Sequence, residues 1–387
     1  MDIVTYTILI LTSDAGFGHR RAAQALEAGF LETVGEQVVV EVRNPLDDPD
    51  LPSLLRSIET GYDEIVVDDP TLYQIAYAAT DAPVVAQLMQ RVSTTVLNRT
   101  LTKWVRELQP DAVITTYPVY TQAIIQAIRK AKLSAPVDVV VTDLIGVHSV
   151  WFHQDADLTF VPTQHVQRQA QDQGLRAERV YLSGLPVHPR FAYLKQRDRR
   201  EVRAELGWDP DLTTALIVGS SRSRQTANIA RLLDRAGLPL QIAAVAGGDA
   251  EVTEELQRTQ WKGRVHTYGL VDNMAEMMRA ADFIICKAGG LIVSESLASG
   301  LPMILYEALP GQEVGNVRYV VECGAGKWSP GVIGALTTVY AWLGDKSDEL
   351  AQCAAAAERV GRPRAVFDIV EQVMQQIGRS EKHHNSG

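Results

Sequence analysis

The stretch that most constrains the fold is residues 281–316, which read ADFIICKAGG LIVSESLASG LPMILYEALP GQEVGN. Two apolar runs alternate with a glycine turn, a helix-like segment and a second polar turn, a pattern that predicts strand, helix and strand in a parallel sheet. Loops at the carboxyl ends of such strands form the ligand crevice. Glu295 falls one turn into the helix, and Gln312 and Glu313 follow the second strand. Such side chains suit a hydroxyl-rich ligand.

The length predicts more than one domain. A chain of 387 residues exceeds the usual limit of a single core, so two domains of about 150–200 residues are expected. No run of 18 or more apolar residues occurs, and the N-terminal apolar stretch lacks a basic flank before it. We therefore expect neither a membrane span nor a secretory signal. The three cysteines are widely spaced without a ligand pattern, which predicts a reducing, cytoplasmic location and no structural zinc.

The net charge of -10 argues against nucleic acid as a partner, because nucleic-acid binding needs a basic face. Residues 84–108 depart from that acidic average, with apolar side chains at helical spacing and basic ones between them. Two interpretations remain open. The segment is a core-facing helix with a solvated basic face, or it attaches to an anionic membrane surface. The second interpretation uses Arg91, Arg99, Lys103 and Trp104.

The first half opens with an apolar run at residues 7–11, a glycine turn and a helical pattern, the first unit of a doubly wound fold. Gly16 and Gly18 let a ligand approach the backbone, and the free amides of the helix start favour an anion. The turn fails as a dinucleotide fingerprint because Arg21 stands at the third glycine position.

Further strands are predicted at residues 112–116 and 137–142, the second running into Asp143, His148 and Trp151, and a boundary is predicted near Pro189. The same rhythm restarts with strands at 214–218, 241–246 and 265–268, and Asn273 is available as a helix cap. We predict a first domain over 1–190, joined by a C-terminal helix 355–378, a second domain over 200–354 and a disordered tail over 379–387.

Six segments carry a resemblance to a known family. The chain resembles the monogalactosyldiacylglycerol synthases and processive diacylglycerol glucosyltransferases and, more distantly, the lipid-linked GlcNAc transferase of peptidoglycan synthesis. The segments are SDAGFGHRRAAQAL at 13–26, VTDLIGVHSVWFHQDADLTFVPT at 141–163, SGLPVHPRF at 183–191, GLVDNM at 269–274, KAGGLIVSESLASGLPMIL at 287–305 and PGQEVGN at 310–316. The implied fold is α/β of the GT-B type, with two Rossmann-like doubly wound domains facing a central cleft.

The resemblance implies a UDP-sugar donor site in the second domain. There Glu295 is similar to the acid that holds the ribose, and Gln312 with Glu313 to the pair that reads the sugar hydroxyls. Gly289 and Gly290 open the helix that faces the diphosphate. The full implied donor set is Gly219, Ser220, Arg222, Gly269, Leu270, Asn273, Lys287, Ala288, Gly289, Gly290, Glu295, Pro310, Gly311, Gln312, Glu313 and Asn316.

The resemblance also implies an acceptor site for diacylglycerol in the first domain, formed by Gly16, Phe17, Gly18, His148 and Trp151. Two departures from the family occur. The glycine-rich loop of the second domain is Gly-Ser-Ser-Arg-Ser-Arg at 219–224, where guanidinium groups could clamp a diphosphate. Phe17 stands where the family usually has glycine, and it narrows the room beside His19.

The implied reaction is an inverting sugar transfer, in which a base takes the proton of the acceptor hydroxyl. His19 and Asp143 both remain candidates for that base, since a free imidazole titrates near neutral pH and the carboxylate could act itself or orient a histidine. No Asp-x-Asp follows a strand of the second half, and helix-start amides can stabilise the leaving diphosphate, so we expect no metal and no cofactor.

The leading hypothesis is therefore transfer of galactose or glucose from a UDP-sugar to the sn-3 hydroxyl of 1,2-diacylglycerol. The expected place is the inner face of the cell membrane, with the protein peripheral on anionic lipids. Alternatives are a GT-B enzyme using UDP-GlcNAc on a lipid-linked peptidoglycan precursor, a UDP-sugar epimerase, and a non-catalytic nucleotide-sugar binder.

Overall fold

The computed structural model describes residues 5–14, 17–49, 51, 83–219, 225–309 and 313–384, and for residues 17, 83–93 and 380–384 it describes the backbone alone. The chain divides into two compact units, one formed by residues 1–189 with 364–387 and the other by residues 190–363.

The described elements alternate between strands and helices along most of the chain. In chain order they are β1 (Tyr6–Leu11), α1 (Phe17–Val34), β2 (Val38–Arg43), α2 (Pro83–Leu108), β3 (Ala112–Thr115), α3 (Thr121–Ala131), β4 (Val137–Val140), β5 (Thr159–Val161), α4 (Gln164–Asp172), β6 (Val180–Leu182), α5 (Arg190–Leu194), α6 (Arg199–Glu205), β7 (Thr213–Val218), α7 (Thr226–Arg235), β8 (Leu240–Val245), α8 (Ala250–Arg258), β9 (Val265–Tyr268), α9 (Met274–Ala280), β10 (Phe283–Lys287), α10 (Gly290–Ala298), β11 (Met303–Glu307), α11 (Val314–Glu322), β12 (Gly326–Trp328), α12 (Gly331–Leu343), α13 (Ser347–Val360) and α14 (Ala365–His384). Single 3-10 turns lie at Gly35–Gln37, Pro45–Asp47, Pro118–Tyr120, Ser149–Trp151 and Ala177–Arg179.

The first unit is built on a six-stranded parallel sheet in the order β2-β1-β3-β4-β5-β6. Its central strand β1 is apolar at every position from Ile8 to Leu11 because both faces of the sheet are covered. Ile8 and Ile10 pack into one core with α1 and α14, while Leu9 and Leu11 pack into a second core with α2 and α3. Because successive side chains point to opposite faces of the strand, β1 contributes to both cores.

The second unit repeats this architecture, with a parallel sheet in the order β12-β11-β10-β7-β8-β9. Phe283 and Ile285 of β10 reach one core, where Phe283 meets the buried Trp342 of α12 edge-on at 5.8 Å. The prediction of two doubly wound α/β domains is confirmed, because each sheet is parallel and is covered by helices. Among the residues that the structure describes, no helix is both long and apolar enough to cross a bilayer.

The C-terminal region differs from the prediction. The helix expected over 355–378 is two helices, α13 in the second unit and α14 in the first, and they are separated by the Gly-Arg-Pro sequence at 361–363. Proline removes a backbone donor and restricts the residue before it, so a continuous helix ends there. The predicted disordered tail is also wrong for residues 379–384, which continue α14, whereas 385–387 lie outside the described residues.

Helix α14 is held tightly in the first unit. Its Val366, Ile369, Val370, Val373 and Ile377 follow helical spacing and are buried in the core that contains Ile8 and Ile10. A Cβ atom placed on Gly29 of α1 would lie 2.4 Å from the Cγ2 atom of Val366, so only glycine allows this approach. Residues 191–199, which the prediction left between the domains, belong to the second unit, and so does Arg190, which the prediction placed in the first domain.

Candidate functional site

Each sheet has one topological switch point, where ligands of doubly wound folds bind. In the first unit the chain runs from β1 to β2 and then returns to β3 on the other side of β1. In the second unit it runs through β7, β8 and β9 and then places β10 on the other side of β7. The loops after β1 and β3, and those after β7 and β10, are therefore the two candidate regions.

His19, in the first turn of α1, lies at the first switch point. Its Nδ1 atom is 2.8 Å from the carbonyl oxygen of Thr116, just after β3, and 2.9 Å from the Oγ1 atom of Thr142, just after β4. A carbonyl only accepts, so Nδ1 carries the proton and donates it, and the neutral ring keeps its lone pair on Nε2. The Thr116 hydroxyl also donates to the His19 carbonyl at 3.1 Å. Residues after two strands, β3 and β4, thus fix the imidazole.

Aromatic rings surround this imidazole and connect it to Asp143. Tyr117 meets the His19 ring edge-on at 5.0 Å, and Trp151 lies against it at 5.9 Å. The indole N–H of Trp151 donates to Asp143 Oδ2 at 3.1 Å, and the Trp151 side chain is only 1% exposed. Trp151, predicted to bind the acceptor, therefore packs beneath the site and orients the Asp143 carboxylate.

His148 also has a local role. Its Nδ1 atom accepts the backbone N–H of Val150 at 3.1 Å and caps the 3-10 turn Ser149–Trp151 that carries Trp151. The imidazole is buried, so within the first unit it stabilises the loop under Asp143. Around Gly18, a Cβ atom would meet nothing within 4 Å, which leaves room beside His19. Gly16 and the Phe17 side chain lie outside the described residues.

The sequence interpretation missed Thr116, Tyr117 and Thr142, which hold His19 in place. The available signal was position: each follows a buried strand that ends at the same sheet edge as Asp143. It also missed the pair that closes the turn between β1 and α1. There Arg20 donates to both carboxylate oxygens of Asp14, at 2.7 and 2.6 Å, and these hydrogen bonds lower the Asp14 pKa.

The second switch point contains a buried ion pair. The Lys287 ammonium, at the end of β10, lies 3.2 Å from Glu313 Oε1, and the two side chains are 9% and 11% exposed. The other carboxylate oxygen, Oε2, accepts the backbone N–H of Leu309 at 2.7 Å. Glu313 thereby joins the loop after β10 to the loop after β11.

Asn316 makes a second connection between these loops. Its side-chain amide donates to the carbonyl oxygen of Ala288 at 2.9 Å, and the backbone N–H of Ala288 donates to the Glu307 carbonyl. Gly289 is the N-cap of α10 and Gly290 its first residue, so the unpaired amides of the helix start lie beside the ion pair. Glu295 is partly exposed in the middle of α10.

The loop after β7 begins at Gly219, where a Cβ atom would lie 2.4 Å from Thr226 Oγ1. Thr226 is the first residue of α7, and its buried hydroxyl has no hydrogen-bond partner among the described residues, which leave out 220–224. A buried hydroxyl without a partner is unusual and marks this helix start as polar space. Five predicted donor residues lie outside the described residues: Ser220, Arg222, Pro310, Gly311 and Gln312.

Three further predicted donor residues follow β9, at the same sheet edge. Gly269 and Leu270 leave the strand, and Leu270 is 74% exposed. Asn273 occupies the N-cap position of α9, but its side chain makes no capping hydrogen bond. The side-chain cap expected there is therefore not formed. In the described part of the chain, no group of three or more His, Cys, Asp or Glu side chains is arranged to hold a metal ion.

The basic residues predicted to meet a membrane lie on α2. Leu97, Leu101 and Val105 bury one face of this helix in the first unit's core. Trp104 packs against the same core and beneath the Arg43 guanidinium, 5.2 Å from it, so its ring is used within the protein. The other face borders a groove of about 1030 Å³ with an excess of positive charge. Its charged lining residues are Asp48, Arg99, Lys103, Arg106 and Lys130. The Arg91 side chain lies outside the described residues.

Comparison with protein families gives two matches. Residues 19–187 match the monogalactosyldiacylglycerol (MGDG) synthase family, and residues 214–326 match the glycosyltransferase family 28 C-terminal domain. A probable chloroplastic monogalactosyldiacylglycerol synthase of Glycine max is 34% identical over 373 residues, covering 94% of this chain and 70% of that protein. The chloroplastic enzyme of Spinacia oleracea is 32% identical, covering 94% and 71%.

Solved structures give the same fold at low sequence identity. MurG of Acinetobacter baumannii superposes with a TM-score of 0.60 at 15% identity and covers 96% of this chain and 99% of that one. UDP-GlcNAc 2-epimerase of Neisseria meningitidis bound to UDP-GlcNAc gives 0.61 at 13% identity, covering 96% and 100%. The fold is therefore GT-B, shared by glycosyltransferases and epimerases, and it does not by itself choose between them.

Proposed function

This chain belongs to the monogalactosyldiacylglycerol synthase family, and from that membership we propose that it transfers galactose from UDP-galactose to the sn-3 hydroxyl of 1,2-diacylglycerol. As a member it is a UDP-sugar-dependent hexosyltransferase that makes a glycolipid. UDP-glucose is the alternative donor, since glucose presents nearly the same hydroxyls. The family names of the relatives favour galactose.

The observation that carries the proposal is the hydrogen bond from His19 Nδ1 to the Thr116 carbonyl at the first switch point. A general base needs a nitrogen whose lone pair is held in one direction. With Nδ1 committed to an acceptor-only oxygen, the basic nitrogen of His19 is Nε2. When that nitrogen gains a proton, the same carbonyl stabilises the imidazolium, because the Nδ1–H bond becomes charge-assisted.

In the proposed step the acceptor hydroxyl gives its proton to Nε2 of His19 while its oxygen forms a bond to the anomeric carbon. The bond from that carbon to the phosphate oxygen breaks, its electron pair leaves with UDP, and the anomeric configuration inverts. Asp143 then acts as an oriented anion near the imidazolium, held by the indole N–H of Trp151. We favour His19 as the base because its hydrogen bond to the Thr116 carbonyl leaves Nε2 as the basic nitrogen and would stabilise the imidazolium.

The second unit is proposed to bind the donor. Glu295 would accept the ribose hydroxyls, and the amides that open α10 at Gly289 and Gly290 would face the diphosphate. The buried Thr226 hydroxyl beside Gly219 supports a polar ligand at the neighbouring helix start. Glu313 is proposed to meet the hexose, with Gln312 as its sequence neighbour.

The experiment is a transfer assay with radiolabelled UDP-galactose and UDP-glucose, each with and without diacylglycerol. We expect labelled lipid from UDP-galactose that depends on diacylglycerol, with a β linkage by NMR. No labelled lipid from either donor would refute the proposal, and conversion of UDP-sugar without lipid would indicate an epimerase.

Variants in the first unit test the assigned base. His19→Asn is expected to lower kcat by about 10²–10⁴ while the affinity for UDP stays within threefold, because a base acts in the transition state. Asp143→Asn should lower kcat less. His165→Asn, a histidine on α4 of the same unit, serves as the control and should keep full activity. A larger loss in Asp143→Asn than in His19→Asn would transfer the role of base to the carboxylate.

We further propose that the transfer needs no divalent metal, since helix-start amides can stabilise the leaving diphosphate. Dialysis of the native protein against EDTA should leave the rate of transfer unchanged. Loss of activity that magnesium or manganese restores would contradict this.

Membrane attachment is a separate proposal, in which the enzyme is peripheral on the inner face of the cell membrane. It is supported by the exposed cations of α2 beside the groove, because anionic lipids attract such a cluster. Binding to vesicles should rise with the fraction of phosphatidylglycerol and fall with salt. The triple variant Arg91→Glu, Arg99→Glu, Lys103→Glu should bind less. A charge-matched control, Arg176→Glu, Arg235→Glu, Lys262→Glu, should bind as the parent does, and equal loss in both would contradict the assignment.

A further inference from the structure

We infer that Lys287 is a positioning residue that acts through Glu313: it holds this carboxylate as one half of a neutral buried pair over the start of α10. The inference rests on the proposed donor site. It explains how Glu313, the acid proposed to meet the hexose, can lie beside the diphosphate without repelling it. Lys287 then has no required contact with the donor.

The geometry holds Glu313 from three sides. The Lys287 ammonium reaches Oε1 at 3.2 Å, and the Leu309 N–H reaches Oε2 at 2.7 Å. A Cβ atom on Gly289 would lie 3.8 Å from Oε1, so the carboxylate lies above the N-cap of α10. The Glu313 backbone N–H also donates to the Leu309 carbonyl at 3.2 Å, which closes the loop on itself.

Charge balance explains why the pair is needed. A carboxylate at a helix N-terminus is favourable in the free protein, but the same place is proposed for a diphosphate, which would repel it. The Lys287 cation cancels the Glu313 charge, so the pair adds no net charge beside the diphosphate. Oε2 accepts one hydrogen bond and Oε1 is in the ion pair, and a carboxylate oxygen has a second lone-pair direction to which a hexose hydroxyl can donate.

Burial makes this pairing strict. Both side chains are about one-tenth exposed, and an unpaired charge in such a place is poorly solvated. The neighbouring Cys286 thiol responds to the same surroundings, since burial and then the Glu313 charge raise its pKa. Loss of the Lys287 cation should therefore leave a carboxylate that moves, takes up a proton or repels the diphosphate.

A double-mutant cycle tests the inference by titration calorimetry with UDP and with UDP-galactose, well below the melting temperature of each variant. Lys287→Met should weaken UDP binding at least tenfold. Glu313→Gln leaves the Lys287 cation to face the diphosphate, so it should bind UDP at least as tightly as the parent while losing the preference for UDP-galactose over UDP. The double variant should recover UDP binding to within threefold, because it no longer contains an unpaired charge.

Two further variants separate positioning from simple folding. Lys287→Arg keeps the charge and should retain UDP binding within threefold. Lys327→Met, which breaks the more exposed Lys327–Glu349 pair of the same unit, should change neither affinity. If Lys287→Met does not fold, the double variant and Lys287→Arg still decide the question.

The possible results distinguish the two proposals. A double variant that binds UDP no better than Lys287→Met, or a Lys287→Met that binds as the parent does, overturns the positioning role alone. A parent protein that binds neither UDP nor UDP-galactose overturns the proposed donor site and this inference together.

Discussion

Each unit has an aspartate in or next to an inner strand of its sheet, Asp138 buried and Asp282 partly exposed, and the two are stabilised in opposite ways. Asp282 of the second unit, just before β10, meets the guanidinium groups of Arg199 at 2.8 Å and Arg203 at 2.6 Å, and accepts the Thr214 N–H at 2.7 Å. Asp138 of the first unit, within β4, is fully buried and accepts from Leu158 N–H and from the Gln376 side-chain amide, at 3.0 and 3.2 Å. No described contact gives it a cation.

Two buried polar atoms in the first unit indicate how Asp138 is stabilised. Asp138 Oδ2 and Gln376 Oε1 are both buried, and neither has a hydrogen-bond partner within the part of the chain that the structure describes. Two unprotonated acceptors cannot pair, so we predict that Asp138 Oδ2 carries a proton for which Gln376 Oε1 is the acceptor. Burial, with the nearby Asp157 charge adding to it, raises the pKa of Asp138 to about 7. The C-terminal helix α14 thus meets Asp138 through an amide side chain, whereas Asp282 of the second unit is paired with two arginines.

The largest effect is expected when the ion pairs of Asp282 in the second unit are broken. Arg203→Met removes a buried cation from Asp282 and a donor from the Ala280 carbonyl, and should destabilise the second unit by about 3–5 kcal/mol. Hydrogen exchange of the β7 and β10 amides measures it. Arg200→Met removes the exposed pair with Asp211 and should cost under about 1 kcal/mol. Equal losses in the two variants would mean that burial of the pair is irrelevant.

A smaller change of opposite sign tests the first unit. In Asp138→Asn the new side-chain amide donates to Gln376 Oε1 without needing a proton, so at pH 8 the variant should be more stable than the parent by about 1–2 kcal/mol. The unfolding free energy is measured in urea, with hydrogen exchange of the β4 amides as the probe of the first unit. Asp172→Asn, which removes one negative charge at the exposed end of α4, should give no such gain. A destabilised Asp138→Asn at pH 8 would show that the folded protein stabilises the ionised Asp138 and that its pKa is not raised.

The pH dependence follows from the same acid. An aspartate has a pKa near 3.9 in the unfolded chain and Asp138 one of about 7 in the folded one, so between these values the folded state binds more protons. Its contribution to stability is complete below about pH 4 and is lost as the pH rises through 7. Asp138→Asn should remove this slope from the unfolding free energy of the first unit and leave the second unit unaffected.

The smallest expected effect separates packing from protonation at α14. Gly29→Ala places a methyl group against Val366 and should cost about 1 kcal/mol or somewhat more, at every pH. Val366→Ala in the same chain should recover part of that loss, because it removes the clashing Cγ2 atom. Thermal unfolding at pH 5 and pH 8 measures both. A cost that appears only at pH 8 would mean that the two contacts of α14 are coupled.

Most of the fold was predicted from local sequence patterns. The apolar runs and glycine turns of residues 281–316 predicted β10, α10 and β11 because the hydrophobic period of each element is set by residues close in sequence. The C-terminal region was predicted less well, since residues 347–360 and 365–384 both show helical spacing but pack in different units. Only the Gly-Arg-Pro sequence between them marks the break.

The site was predicted in part. His19, Asp143 and Glu313 were identified as candidates, and their family roles remain proposals. The residue that holds His19 was not identified, because Thr116 is 97 residues away. The same holds outside the site for the buried Asp138, whose partner Gln376 is 238 residues away. Such contacts depend on strand order, which a crossover can place on either side of β1. No local pattern reports that choice.

What the sequence alone determined is the series of elements, the doubly wound architecture and the family, because these depend on spacing and on short motifs. The tertiary structure decided which nitrogen of His19 carries the proton, that Glu313 is paired with Lys287, and that Asp138 meets an amide in place of a cation. The physical reason is that protonation and pairing follow from burial and from the atoms within about 3 Å. Those neighbours are brought together only when the parallel strands assemble in their final order.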